Sequence, residues 1–268
     1  MNQSNIHEAV NNIRKLILEV SYLKQSPHVG SSLSCVEITL SAYMKKLYDS
    51  KESNINTKIV YSKGHASLAL YATLSELDLI PSDALKNYNE NGSHFYGHVS
   101  KLASEHVELT TGSLGHGLPY SVGLALADKL SHVSDSQIIV IMSDGECNEG
   151  TTWESALIAA QFGLRNLHVI IDRNRLQSLK STEKTLALEP FADKWLSFGW
   201  KVVEVDGHNV SDIYNALTIS DKPLCIIANT SKGNGISFMK DKILWHYKAP
   251  DKGDLERAFK ELGVAFEK

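Results

Sequence analysis

Cysteine is scarce. The three in 268 residues, Cys35, Cys147 and Cys225, make neither an even disulfide framework nor a metal-ligand spacing. A reducing, cytoplasmic setting is expected. An excess of basic charge is missing too. The 27 Lys and Arg against 31 Asp and Glu give a net charge of −4, with both signs mixed along the chain. That argues against a nucleic-acid surface and against a polybasic membrane anchor. The first residues, MNQSNIHEAV, hold no apolar signal core, and no run is long enough to span a bilayer. Internal repeats, low-complexity tracts and linkers are absent. What is there is 43% hydrophobic content, enough for a sizeable core. One domain over residues 1–268 is expected.

The densest pattern lies in residues 137–177. Residues 138–142 form an apolar β-branched run and predict a buried strand. The run breaks at Ser143-Asp144-Gly145. Trp153, Ala156, Leu157, Ala160 and Phe162 then recur at three and four, which predicts a helix, with Gly163 placed to end it. A second apolar run, 167–171, closes in Asp172-Arg173-Asn174. Strand, helix, strand predicts parallel pairing with a right-handed crossover. Asp144 and Asn174 then both fall just past a strand's carboxyl end, where open α/β sheets bind ligands. A carboxylate and an amide oxygen together suit a hard cation such as Mg²⁺, which shares its oxygen ligands with substrate phosphates. Gly145 would let the backbone approach a phosphate and offer its N–H. Taken singly, Asp144 is an ordinary helix cap and Asn174 an ordinary turn residue. The pair points to a metal-bridged diphosphate.

Asp144-Gly145 followed by Asn174, thirty residues after the aspartate, resembles the thiamine diphosphate motif, with Ser143 in place of the motif's first glycine. The context, SDGECNEGTTWESA and NLHVIIDRNRLQ, is similar to the transketolase family, and especially to the stand-alone N-terminal half of split transketolases. The resemblance implies that Asp144, Asn174 and the carbonyl of Leu176 hold Mg²⁺ (or Ca²⁺ or Mn²⁺). It implies that Gly145, Glu146 and Asn174 meet the cofactor.

Other segments extend the resemblance over residues 6–262. Residues 6–24 predict an amphipathic helix, and a second helix is expected at about 35–47. The PHVGSSLS segment between them reads as a break, and its resemblance makes His28 an active-site histidine. A short strand at 58–62 leads into Lys63-Gly64-His65-Ala66 and a helix over 66–79. A histidine just ahead of a helix sits beside free N–H donors, and the family match places His65 on the diphosphate. Residues 81–100 are polar and turn-rich. There Gly97-His98 resembles the family's Gly-His-Pro, with Val99 for proline, and puts His98 near the reactive ring. Thr110-Thr111-Gly112-Ser113-Leu114-Gly115-His116-Gly117, ahead of a helix over 118–130, resembles Thr-Thr-Gly-x-Leu-Gly-Gln-Gly. Glycine-rich loops before helices are common; the match is what gives Gly112 and Leu114 the cofactor's rings. Glu149 and Glu154 match acids buried between two active sites at the subunit interface.

Downstream, the polar loop after Gln177 could cover the site. A helix over 191–198, a strand over 200–205, a helix capped by Ser211 and running to 217, and a strand over 224–229 follow. Lys232-Gly233-Asn234-Gly235 resembles the family's Lys-Gly-x-Gly loop. Trp245-His246-Tyr247-Lys248-Ala249-Pro250 resembles Trp-His-Gly-x-Ala-Pro, which makes His246 the last active-site histidine and puts Tyr247 where the acceptor would bind. An amphipathic helix over 254–266 closes the chain.

The alternation of strands and helices predicts an α/β fold, a doubly wound parallel sheet flanked by helices. The resemblance implies a thiamine diphosphate- and Mg²⁺-dependent transketolase, moving a two-carbon ketol unit from a ketose phosphate to an aldose. His28, His65, His98 and His246 are its catalytic histidines, suited to proton transfer near neutral pH. The family's activating glutamate sits on a pyrimidine-binding domain that no segment here resembles. The expectation is a C-terminal transketolase subunit carrying it, around a homodimer core in an α₂β₂ assembly. Alternatives stay open: a transketolase-like half for a specialised or activated keto-sugar, an α subunit of a 2-oxo acid dehydrogenase, or a non-catalytic cofactor-binding chain.

Overall fold

The computed structural model describes residues 3–218 and 220–264. In chain order the elements are α1 (Gln3–Leu23), α2 (Val29–Ser34), α3 (Val36–Tyr48), β1 (Asn56–Tyr61), α4 (Ser67–Glu76), α5 (Gly117–Leu130), β2 (Ser136–Ser143), α6 (Gly150–Gln161) and β3 (Leu167–Arg173). After these come α7 (Thr182–Thr185), α8 (Phe191–Ser197), β4 (Lys201–Asp206), α9 (Val210–Ala216), β5 (Leu224–Asn229) and α10 (Lys252–Leu262). The sheet has the order β1-β2-β3-β5-β4, and every pairing is parallel.

The apolar runs of β2 and β3 are buried along their whole length, as strands covered on both faces must be. Alternate side chains serve two cores. Ile139, Ile141, Ile170 and Ile226 pack with α1, α2, α3, α4, α9 and α10. Ile138, Val140, Met142, Val169, Ile171 and Ile227 pack with α5, α6 and α8. The chain advances across the sheet through α5, α6 and α8 on one face and doubles back from β4 to β5 through α9 on the other. Right-handed crossovers require that exchange of faces. The doubly wound α/β reading is borne out.

Three local readings need correction. PHVGSSLS is not merely a break: Val29–Ser34 is a buried helical turn, and His28 caps it in a left-handed conformation at φ 69°. The cap of α9 is Asn209, whose side chain accepts from the N–H groups of Ser211 and Asp212, so the acceptor lies two residues before Ser211. The last helix starts earlier than residue 254, because Asp251 and Asp254 form a reciprocal capping box. It ends at Leu262, with Gly263 left-handed behind it; the expected end at Phe266 lies outside the described residues. Gly163, at φ 54°, follows α6 as its sequence position suggests.

Register decides what meets at the carboxyl edge. Ser143 of β2 is level with Asp172 of β3, and Arg173 of β3 with Asn229 of β5. Lys63, Asp144, Asn174 and Lys232 therefore leave four neighbouring strands along one edge.

Candidate active site

A cleft of about 350 Å³ opens at that edge. Its walls include His28, Lys63, His65, Gly112, Leu114, Asp144, Gly145, Asn174, Leu176, Lys232 and His246. All of these except Lys63 and Lys232 are site residues expected from the sequence.

Asp144 is buried at the start of a 3₁₀ turn, Gly145–Asn148. One carboxylate oxygen accepts from the Gly145 N–H at 2.7 Å; the other accepts from the Arg175 N–H at 2.6 Å and from Arg173 Nη1 at 3.2 Å. Asn174 lies one residue before Arg175. Its amide oxygen accepts from the Leu176 N–H at 3.0 Å, and its amide nitrogen donates to Asp172 at 3.1 Å and to Ser34 Oγ at 3.2 Å. Asp144 and Asn174 thus sit at adjacent strand ends, on one cleft, and not on opposite edges of the sheet. Burial, and next the charge of Asp172, raise the Asp144 carboxyl to about 6 despite Arg173 and two N–H donors. A buried carboxylate so incompletely compensated suits further positive charge. One carboxylate, one amide oxygen and one backbone carbonyl are hard oxygen donors of the kind Mg²⁺ takes.

The opposite wall is cationic. Lys63, almost fully buried, donates to Asp172 and to the Ser31 carbonyl at 2.8 Å. Burial, the largest single influence, would lower its pKa, but the charge and hydrogen bond of Asp172, with Cys35 and Asp144 behind them, together raise it. Asp172 is held below the usual carboxylate range: Lys63, Thr230 and Ser34 together overcome its burial. Lys232 has no carboxylate within ion-pair reach among the described residues. Burial, then Lys63, push it down to about 8, which leaves it protonated at neutral pH. Its Nζ sits 3.0 Å from His246 Nδ1. An ammonium can only donate, so Nδ1 accepts and the His246 proton sits on Nε2.

The histidines converge. The ring centre of His28 lies 5.0 Å from His246, 5.5 Å from His65 and 5.7 Å from His98. Burial lowers His28 to about 4 and His246 to about 3, with neighbouring positive charge adding to both. His65 is driven well below its ordinary value by burial and then by Lys63. Neutral imidazoles beside two lysines form a pocket that a polyanion would complete. His98 is exposed outside the cleft wall, but its ring backs Gly112, where an added Cβ would lie 3.7 Å away.

Glu146 is placed differently from the expectation that it meets the cofactor. Its side chain is buried beneath the cleft, taking hydrogen bonds from Ser62 Oγ, the Gly115 N–H at 2.9 Å and the Ser143 N–H at 3.4 Å. It staples the 112–117 loop to the ends of β1 and β2. Gly115 stands at φ 83°, where a Cβ would lie 2.7 Å from that of Glu149. Glu149 and Glu154 are exposed on this chain, on the side of α6 that also exposes Leu157, Ile158 and, just beyond it, Phe162.

Residues 6–268 match the family described as transketolase, thiamine diphosphate binding domain. The chain belongs to the transketolase family. It is 40% identical over 255 residues to an apulose-4-phosphate transketolase subunit of Actinobacillus succinogenes, covering 93% of this chain and 92% of that one. It is 36% identical over 251 residues to a 6-deoxy-6-sulfo-D-fructose transketolase subunit of a Clostridium species, covering 91% of each. The crystal structure of Campylobacter jejuni transketolase matches with a TM-score of 0.86 at 26% identity. That match covers 98% of this chain and 43% of the other, so the chain spans less than half of the solved transketolase.

Sequence reasoning missed the parts of this transketolase site that act electrostatically: Lys63, Asp172 and Lys232, with Arg173 behind Asp144. A signal was present. Ser-Lys-Gly occurs directly after β1, as Ser62-Lys63-Gly64, and again just beyond β5, as Ser231-Lys232-Gly233.

Proposed function

We propose that the chain is the thiamine diphosphate- and Mg²⁺-binding subunit of a two-chain transketolase, which moves a two-carbon ketol unit from a keto-sugar phosphate to an aldose. The observation that carries this reading is the meeting of Asp144 and Asn174 at one end of a cleft walled by Lys63, Lys232 and three histidines. Asp144, Asn174 and the Leu176 carbonyl would hold the metal. His65 and the Gly145 N–H would hold the diphosphate, and Gly112 and Leu114 the rings. The cofactor, once bound, supplies the carbon nucleophile and the electron sink. The chain's own residues bind, orient and move protons. The neutral imidazole of His28 can accept a proton from a sugar hydroxyl; His246, its Nδ1 engaged by Lys232, presents its Nε2–H as a donor. His98 stands behind them at the mouth.

The same reading takes residues 1–268 as one domain and places the activating group on a partner chain with a pyrimidine-binding domain, in an α₂β₂ assembly in the cytoplasm. One feature supports the partner: relatives of matching length are named as transketolase subunits. The exposed Leu157, Ile158 and Phe162 support a homodimer core. No described helix is long and apolar enough to cross a membrane.

A specialised keto-sugar as substrate is favoured by one further observation. Tyr247, 57% exposed, lines the cleft with its ring 4.7 Å from His246, where it narrows the way in. The test is co-purification with the chain encoded beside it, then a donor screen of xylulose 5-phosphate, apulose 4-phosphate and pyruvate. Ketol transfer from a sugar phosphate, lost in Asp144→Ala, is expected. Turnover of pyruvate alone, full activity of the isolated chain, or activity surviving Asp144→Ala would each contradict the proposal.

A further inference from the structure

The loop that carries Lys232 into the cleft is held from outside it. Thr230 is tied to Asp172, and the Gly233 N–H donates to the Gly30 carbonyl at 2.9 Å. Between them, the Ser231 N–H finds no backbone acceptor. It donates instead to His208 Nε2, at 2.8 Å, from the turn between β4 and α9. Because Nε2 accepts, the neutral ring carries its proton on Nδ1. That nitrogen lies 3.4 Å from Glu37 Oε2 on α3. The other Glu37 oxygen is paired with Arg14 of α1, and both side chains are buried. Arg14 in turn lies against the far end of the same loop: Gly235 stands at φ 92°, and a Cβ there would come within 2.5 Å of Arg14 Nε. Arg14, Glu37 and His208 thus grip residues 231–235 at both ends, with Lys232 between.

We propose that Arg14, Glu37 and His208 are positioning residues that fix Lys232 against His246 and the diphosphate end of the cleft, through the Ser231 N–H. The inference rests on the thiamine diphosphate reading above. None of the three residues lines the cleft itself; they act through the loop. A network of this kind lets one imidazole acceptor on the outer surface decide where a buried ammonium stands inside.

Two amides separate this from a merely structural role. In His208→Gln the amide oxygen reaches about as far as Nε2 and can still accept from Ser231. In His208→Asn it reaches only as far as Nδ1 and cannot. Both variants are polar, and both are checked for an unchanged melting transition. The readout is the thiamine diphosphate Kd of the two-chain enzyme with Mg²⁺, followed by tryptophan fluorescence, with kcat and KM for a keto-sugar phosphate measured beside it. His208→Asn should weaken the cofactor by about tenfold, which is about 1.4 kcal/mol, while His208→Gln stays within about threefold of the parent. In a Lys232→Met background the two should bind alike, since the shared target is gone. Equal cofactor affinity of the Asn and Gln variants, or a full tenfold gap persisting without Lys232, would overturn the inference. Failure of the parent enzyme to bind thiamine diphosphate would instead sink the functional reading beneath it.

Discussion

Replacing Asp172 with asparagine should cost this chain far more than its near-isosteric shape suggests. Asp172 is fully buried at the end of β3 and compensates Lys63, itself 1% exposed. The carboxylate also takes hydrogen bonds from Ser34, Thr230 and Asn174. Asp172→Asn leaves the Lys63 ammonium inside, facing a second cation in Lys232. Removing one partner of a buried ion pair costs about 3–5 kcal/mol. In a chain of this size that corresponds to a fall of about 6–20 °C in Tm. The sign of the pH dependence follows from Asp172 lying below the usual carboxylate range in the folded chain. Its contribution is fully present above the ordinary Asp value near ~4 and is lost as pH falls through the folded value. The gap between parent and variant should therefore be widest at neutral pH and close in acid. Adding Lys63→Met to Asp172→Asn should recover more than half of the loss, because the stranded charge is gone. Thermal melts of the three proteins at pH 7 and in steps through the acid range below pH ~4 decide it. A loss under about 3 °C for the single variant, or a double variant less stable than it, would refute the account of Lys63 as a charge needing compensation.

Two further outcomes follow from other parts of the fold. His168 is buried in β3, beside Gln137 Nε2 at 2.8 Å, and burial lowers it to about 4. The unfolded chain therefore takes up this proton first, and stability falls as pH drops from about 6.5 to 4. His168→Gln should remove that part of the acid sensitivity, narrowing its stability gap to the parent by on the order of 2–3 kcal/mol at pH 4, read from urea midpoints; a pH-independent difference would count against it. Gly115→Ala must seat a methyl group 2.6 Å from Thr151 Oγ1 at positive φ and should cost about 1–3 kcal/mol. Because the Gly115 N–H is one of the anchors of Glu146, cofactor affinity should weaken along with Tm, and a stable variant with unchanged affinity would show that the staple is idle.

The strands β2 and β5 were legible because their apolar runs are uninterrupted and end in polar residues. The run at 224–229 matches β5, and Asp144 and Asn174 could be placed at one edge from the ends of the runs at 138–142 and 167–171. What stayed hidden depends on where side chains turn. Nothing in the spacing says that the Glu146 side chain folds inward to Ser62 while that of Asp144, two residues earlier, lines the cleft. Asp172 reads as the first polar residue past an apolar run; only the register with Ser143 and the approach of Lys63 make it the charge that organises the edge. The serines and glycine around Val29 resemble a loop by composition, yet burial makes a helical turn of them, with His28 accepting a left-handed backbone to start it.

Along 138–142 of β2 and 167–171 of β3 both faces present Ile, Val, Leu and Met, with His168 the exception. In a sheet with one wet face, sliding a strand by one residue would expose its apolar side and be rejected at once. Here such a slip would merely trade one greasy surface for another. What it could not preserve is the rim, where the Asp144 N–H reaches the Asp172 carbonyl and the N–H groups of Ser62 and Lys63 reach that of Ile141. The polar tips are thus the index marks that tell each interior strand how far along its neighbour to stop, and a slip of one residue, about 3.3 Å, would dismantle the cleft while leaving the hydrophobic layers nearly content.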